Sequence, residues 1–213
     1  MREYLTRIKQ AVIDGKHYDI EGLVQEAIAA PVDLARIVND GFIAAMEVVG
    51  QRFAAGEIFV PEMLVSALTM KKGLAVIKPL LQGNQIQTKG TILIATVQGD
   101  LHDIGKNLVA MMLEGAGYLV VDLGIDVSVD MVIAKVAELK PDILGLSALL
   151  TTTMPEMARV VRTLEEKGLR QAVKVMVGGA PIDQKFAAQI GADGYGKDAG
   201  EAVLLAKNLL GQN

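Results

Sequence analysis

The chain has 213 residues, 51% of them apolar, and a formal net charge of −4 with no block of like charge, which argues against nucleic acid as a partner. Cysteine is absent, so disulfides, thiolate-bound zinc, iron–sulfur clusters and thiol nucleophiles are excluded together, and a reducing compartment fits. The first residues lack the apolar core of a signal peptide and no apolar run is long enough to span a bilayer, so a soluble, cytoplasmic protein with no membrane partner is expected.

The first part, residues 1 to about 86, reads as helices only. Tyr4, Leu5, Ile8, Val12 and Ile13 recur at helical spacing. Asp19 is positioned to cap a second helix over Ile20 to Ala30, which Pro31 closes. Asp33 is positioned to cap a third, whose apolar stripe is Leu34, Ile37, Val38, Phe42, Met46 and Val49. A fourth starts near Pro61, a good first-turn residue, and carries Met63, Leu64, Ala67, Leu68, Met70 and Leu74. Four such helices predict a small bundle, and the polar run from Gly83 to Gly90 reads as a linker. Between the last two helices, Gln51 to Glu62 spends two aromatics, Phe53 and Phe59, in a chain only 4% aromatic.

From residue 90 to 213 strand-like and helix-like runs alternate. The strands are Thr91–Val97, Tyr118–Val121, Ile143–Leu146, Val173–Val177 and Gly194-Tyr195. The helices are Ile104–Gly115, Asp130–Leu139, Pro155–Lys167, Asp183–Ile190 and Ala199–Leu210. Such alternation predicts an α/β domain, a five-stranded parallel sheet with helices on both faces in the flavodoxin-like (Rossmann-like) order 2-1-3-4-5. In that order the loops after strands 1, 3 and 4 are neighbours.

Those loops carry the chemistry. The first, Gly99-Asp100-Leu101-His102-Asp103-Ile104-Gly105, holds one of only two histidines in the chain. The third runs Ser147-Ala148-Leu149-Leu150-Thr151-Thr152-Thr153, the fourth Gly178-Gly179-Ala180-Pro181, and Gly196 follows the last strand. We read His102 as a metal ligand, Asp100 as the group that orients it, and Gly105 as room for a bulky planar cofactor. The slot is rich in hydroxyls and glycines and poor in charge, which suits a long neutral ligand better than a triphosphate. A dinucleotide site wants Gly-x-Gly-x-x-Gly, and this loop offers only Gly99 and Gly105. A phosphorylated receiver wants an Asp ending strand 3, where this chain has Ser147. Hydrolytic zinc wants about three protein ligands, and the other histidine, His17, falls in the helical part. The plain alternative is that His102 caps a helix or faces water.

Three motifs in order, Asp-x-His-x-x-Gly (Asp100, His102, Gly105), Ser-x-Leu (Ser147, Leu149) and Gly-Gly (Gly178, Gly179), resemble the B12-binding domain of cobalamin-dependent methionine synthase and its relatives. Phe53 and the run Phe59-Val60-Pro61-Glu62 resemble the helical cap module that precedes that domain. The whole chain, with a cap at 1–86 and a cobalamin-binding domain at 90–213, is therefore similar to the stand-alone corrinoid proteins of methyltransferase systems, which serve methoxylated aromatics, methanol or methylamines.

The resemblance implies that His102 replaces the cofactor's own base as lower ligand of cobalt, the base-off, His-on state. It also implies that Asp100 holds the other ring nitrogen and that Thr153 continues a relay. Leu101, Asp103, Ile104 and Gly105 would contact the cofactor, whose displaced tail would enter a slot lined by Ser147, Leu149, Thr151, Gly178, Gly179, Tyr195 and Gly196. A glycine is expected at 178 and 179 because a side chain would fill the ligand's volume. Phe53 and Val60 would shield the upper face, Val60 leaving it more open than the leucine of methionine synthase. The implied function is a methyl carrier cycling between methylcobalamin and cob(I)alamin, not a complete enzyme alone. Its implied partners are a donor-specific methyltransferase, an acceptor methyltransferase (to tetrahydrofolate or a thiol) and a reductive activase. An adenosylcobalamin mutase subunit would lack the cap with Phe53, and a B12-dependent sensor would need a DNA-binding module. Lys106, Asp122, Asp126 and Asp130 are expected to be solvated surface groups.

Overall fold

The computed structural model describes residues 2–77, 80 and 88–212. The chain divides into two compact units, one of residues 1–88 with 115–117, the other of 89–114 with 118–213.

Among its described residues the first unit holds helices and their connections and no strand. It holds α1 (Arg2–Ile13), α2 (Ile20–Ala29), α3 (Leu34–Arg36), a π-helical segment Ile37–Ile43, α4 (Ala44–Ala54) and α5 (Val60–Ile77). The apolar stripe read as one third helix is thus a continuous rod that changes pitch twice. Its π segment buries Ile37, Val38, Phe42 and Ile43. Helix α1 packs on α2, α4, α5 and the π segment, and α2 and α4 pack on α5, with Leu5, Ile8, Val12, Ile20, Val24, Phe42 and Met63 in the core. A Cβ at Gly73 of α5 would lie 2.4 Å from Phe42 Cζ, so the glycine is what lets that ring close against α5.

The caps divide. Asp33 accepts a hydrogen bond from the Arg36 backbone N–H at 3.0 Å. Asp19 has helical dihedrals and makes no side-chain cap, because an N-cap side chain needs an extended backbone to reach the first turn. Helix α4 runs on to Ala54 and α5 begins at Val60, so the connection expected over Gln51 to Glu62 is only residues 55–59. The expected linker, apart from Thr88, Lys89 and Gly90, lies outside the described residues.

The second unit holds β1 (Thr91–Thr96), α6 (Ile104–Gly115), β2 (Leu119–Asp122), α7 (Val129–Leu139), β3 (Ile143–Ser147), α8 (Met154–Glu166), β4 (Lys174–Gly178), α9 (Gln184–Gln189), β5 (Gly194–Tyr195) and α10 (Ala199–Leu209), with one 3-10 turn at Arg170–Ala172. The sheet is all parallel with the order β2-β1-β3-β4-β5, as the alternating pattern predicts. Alternate residues point to opposite faces. Leu93, Ala95, Leu144, Leu146, Val175 and Val177 meet Val132 and Val136 of α7 and Met157, Val160 and Leu164 of α8 in one core. Ile92, Ile94, Ile143 and Met176 are buried on the other face, where α10 packs on β4 and β5. Each of the Leu, Val, Ile and Met side chains among them contributes about 1.5–3 kcal/mol on leaving water. The register sets Thr96, Ser147 and Gly178 side by side at the C-terminal edge of the sheet, next to the reversal in strand order where α/β sheets bind ligands. Among the described residues no helix is long and apolar enough to cross a membrane.

Candidate functional site

The loop between β1 and α6 leaves the middle of the sheet and is held from both sides. Thr96 is fully buried, and its hydroxyl donates to the His102 carbonyl at 3.0 Å. Gly99 turns the chain with φ +80°, a conformation that glycine adopts without steric cost. Its N–H donates to Asp126 Oδ1 at 2.7 Å, and the Asp126 N–H donates to the Asp100 carbonyl at 3.0 Å.

Asp100 is completely buried, and its carboxylate is saturated with donors. Oδ1 accepts from the His102 ring Nδ1 at 2.7 Å and the His102 N–H at 3.1 Å. Oδ2 accepts from the Thr153 hydroxyl at 2.7 Å and from the Leu149 and Leu150 N–H groups at 2.7 and 3.3 Å. Burial alone would push this carboxyl up, but the hydrogen bonds from the Leu149 N–H, the Thr153 hydroxyl and His102 outweigh it. They hold Asp100 well below the usual carboxylate range. A buried carboxylate held as an anion takes Nδ1–H as its donor and so fixes the tautomer that leaves the Nε2 lone pair free. The His102 side chain is half exposed. The result is an imidazole with Nδ1 held by the buried carboxylate and Nε2 left available to a metal.

Thr153 lies 2.9 Å from the Leu150 carbonyl and 2.7 Å from Asp100 Oδ2, so one hydroxyl proton has two acceptors. Leu101, Asp103, Ile104 and Gly105 are exposed around His102, as are Leu149 and Thr151. Leu101 and Ile104, at 67% and 84% exposure, give the histidine an apolar rim. A Cβ at Gly105 would meet nothing within 4 Å. Ser147, Gly178, Gly179, Tyr195 and Gly196 are half-buried along the sheet edge. In the helical unit Phe53 is half-buried near the end of α4, and Val60 opens α5, exposed beside Phe59.

A Cβ at Gly179, where φ is +135°, would lie 1.8 Å from the Ala148 carbonyl oxygen, and one at Gly178 would lie 3.0 Å from the Gly196 carbonyl oxygen. Neighbouring backbone thus leaves no room for a side chain at Gly179 and crowds one at Gly178, where the Gly196 carbonyl would have to give by a few tenths of an ångström. One expectation needs correction: Lys106 is not a solvated surface group. It is 3% exposed, donates to Asp122 and sits 2.9 Å from Asn107 Oδ1. Asp126 is exposed as expected but is committed to the loop, whereas Asp130 is a plain surface residue of α7.

The B12 binding domain family matches the chain twice, over residues 90–204 and, in a second form, over residues 4–78. A trimethylamine corrinoid protein of Methanosarcina barkeri is 44% identical over 210 residues, covering 98% of this chain and 97% of its own length. The chain belongs to the B12-binding corrinoid proteins of methyltransferase systems. A corrinoid protein of Desulfitobacterium hafniense (strain Y51) is 43% identical over 211 residues, with 98% of each chain covered. The solved methanol:cobalamin methyltransferase complex of Methanosarcina barkeri contains a chain matching 99% of this one over 81% of its own length, at 35% identity and a TM-score of 0.90.

Membership makes cobalamin the cofactor, and the side chains at the loop fit it. No group of three or more His, Asp or Glu side chains able to hold a metal occurs among the described residues. A lone imidazole suits a metal whose other positions a macrocycle fills. The apolar rim of Leu101, Ile104 and Leu149 suits a broad flat ligand. Sequence reasoning missed Thr96 and read Asp126 only as a solvated surface group, although both hold the loop. A buried Thr ending a strand beside a His loop is a signal of sorts for the first. Nothing local marks the second.

Proposed function

We propose that this protein is a methyl carrier that binds cobalamin in the base-off, His-on state and serves two partner enzymes, a donor-specific methyltransferase and an acceptor methyltransferase. In this reading residues 1–86 are the helical cap and residues 90–213 the cobalamin-binding domain. The observation that carries it is the Nδ1 contact of His102 with buried Asp100 at 2.7 Å, which leaves Nε2 as the ligating atom. When bound, the corrinoid supplies a cobalt centre that accepts a methyl group and gives it up.

The chain's own residues then have distinct tasks. His102 ligates through Nε2, and Asp100 orients the ring and strengthens it as a donor. Thr153 completes the hydrogen-bonded row and, by switching between Asp100 and the Leu150 carbonyl, changes the support that the carboxylate receives. Leu101, Asp103, Ile104 and Gly105 border the lower face, and Ser147, Leu149, Thr151, Gly178, Gly179, Tyr195 and Gly196 line the slot for the displaced tail. Phe53 and Val60 shield the upper face and give way when a partner needs access, a gating step. The names of the relatives, trimethylamine and dimethylamine corrinoid proteins at 41–44% identity, support a methylamine as the source of the methyl group, reached through the donor-specific partner. A reductive activase would restore protein that has lost its reduced cofactor.

The test is an anaerobic absorption spectrum of the protein mixed with hydroxocobalamin, beside His102→Ala. Stoichiometric binding with His-on features lost in the variant is the expected result. Wild type that takes up no corrinoid would remove the reading altogether. Matching spectra for wild type and variant would keep the cofactor and remove His102 from cobalt.

A further inference from the structure

The connection between β2 and α7 does more than join two elements. From Leu123 to Val127 it runs alongside the end of β1. The Leu123 N–H donates to the Ile94 carbonyl at 2.9 Å, the Thr96 N–H to the Gly124 carbonyl at 3.0 Å, and the Val127 N–H to the Thr96 carbonyl at 3.1 Å. At the end of this rail sits Asp126, one of two non-glycine residues with positive φ among the described residues, at +52°. The other, Lys140, closes helix α7 in the usual left-handed cap. Asp126 ends no helix. It grips the β1–α6 loop twice, its N–H on the Asp100 carbonyl and its carboxylate on the Gly99 N–H. A residue held in a sparsely populated conformation needs its surroundings to over-determine it, and such residues gather where geometry matters for function.

We propose that Asp126 is a positioning residue for His102, clamping the backbone on both sides of the Asp100 peptide so that the Asp100 carboxylate meets the ring at Nδ1. The inference rests on the assignment of His102 as cobalt ligand. The carboxylate, not the left-handed backbone alone, is the working part, because it is what reaches Gly99. Acting on cobalamin only through Asp100 and His102, Asp126 touches no reacting atom.

Three variants separate these elements. Asp126→Asn keeps the acceptor oxygen and tolerates positive φ. Asp126→Gly keeps the backbone freedom and loses the acceptor. Asp126→Ala loses both. Two readouts apply, one without cofactor and one with it. In cofactor-free protein, nuclear magnetic resonance reads the exchange protection of the Gly99 amide and the ring-nitrogen shifts that report the His102 tautomer. In the second, hydroxocobalamin is titrated in and the affinity and His-on fraction are measured. The expected result is an asparagine variant close to wild type in both. The glycine variant loses Gly99 protection, mixes the His102 tautomers and weakens corrinoid affinity by about tenfold or more, the usual range for loss of a group supporting a metal ligand. A glycine variant equal to wild type overturns the proposal. Equal losses for asparagine and glycine overturn it too, by assigning the effect to charge. A glycine variant whose sheet amides lose protection along with Gly99 also overturns it, by placing Asp126 in the stability of the whole unit. Because the first readout needs no cofactor, failure of His102 as cobalt ligand would appear separately, as wild-type protein with an intact loop and no His-on spectrum.

Discussion

Thr153 stands at the N-cap position of α8 with helical dihedrals and makes no side-chain cap there, and its hydroxyl instead lies 2.7 Å from the buried carboxylate of Asp100. A local rule of helix termini is set aside in favour of a contact 53 residues away in sequence, and departures of that kind collect at functional sites. Thr153→Val removes the hydroxyl at nearly constant volume. We expect it to lower unfolding free energy by about 1–2 kcal/mol, the cost of taking one partner from a buried anion. Thr153→Ser, which keeps the hydroxyl, is expected to stay within about 0.5 kcal/mol of wild type. Urea unfolding of the cofactor-free variants measures both, and a valine variant as stable as wild type would show that the contact carries no net free energy.

Asp100 sets an acid limit on the fold. Its folded-state pKa lies below the unfolded value, so its contribution to stability is present above the ordinary carboxylate range and is lost as pH falls through that range toward the folded value. Wild-type protein is therefore expected to lose stability more steeply below about pH 4 than Asp100→Asn. The asparagine variant starts lower, by about 3 kcal/mol at neutral pH, because its amide N–H groups oppose N–H donors that a carboxylate accepts. Thermal melts of both proteins between neutral and acid pH decide it. Parallel curves would mean that the carboxylate is not held as an anion by these bonds.

Much of this arrangement is legible in the sequence. The alternation of apolar runs with polar loops implies a parallel sheet, and five strands with five helices suit the order found. The helix over Ile104 to Gly115 has the same bounds in both readings. What escapes has a common cause, since it depends on contacts between residues far apart in the chain. The pitch change at Ile37–Ile43 leaves the apolar stripe intact, so the residue pattern does not mark it. Lys106 and Asp126 look like surface polar residues because burial and backbone sign are not written in residue type. The crowding of Gly179 by the Ala148 carbonyl and of Gly178 by the Gly196 carbonyl is likewise a contact between residues far apart in the chain.

That last point gives a paired experiment. Gly179→Ala forces a Cβ to 1.8 Å from the Ala148 carbonyl oxygen at positive φ and is expected to destabilise the protein on the order of 3 kcal/mol with or without corrinoid. Gly105→Ala places a Cβ in open space near the start of α6. It should leave the cofactor-free protein unchanged or more stable by about 0.5 kcal/mol, while weakening corrinoid binding. Calorimetric melts paired with hydroxocobalamin titrations separate the two. A cofactor-free Gly105→Ala protein that melts early would contradict the open space at that position.

The ion pair of Lys106 with Asp122 should respond unequally to removal of its two ends. The lysine side chain is 2% exposed and the aspartate side chain 35%. Asp122 also accepts the Gly124 N–H at 2.8 Å, so a solvated carboxylate with a remaining donor survives the loss of its partner cheaply. Lys106→Met is accordingly expected to cost about 1 kcal/mol, its stem replaced by a side chain of similar shape. Asp122→Ala strands a buried ammonium with Asn107 Oδ1 as its remaining partner among the described residues and is expected to cost about 3 kcal/mol. The double variant should recover most of that difference, because removing the lysine removes the charge that the alanine leaves uncompensated. Denaturant unfolding of the three proteins completes a double-mutant cycle. Equal losses for the two single variants would mean that water reaches Lys106 as readily as it reaches Asp122.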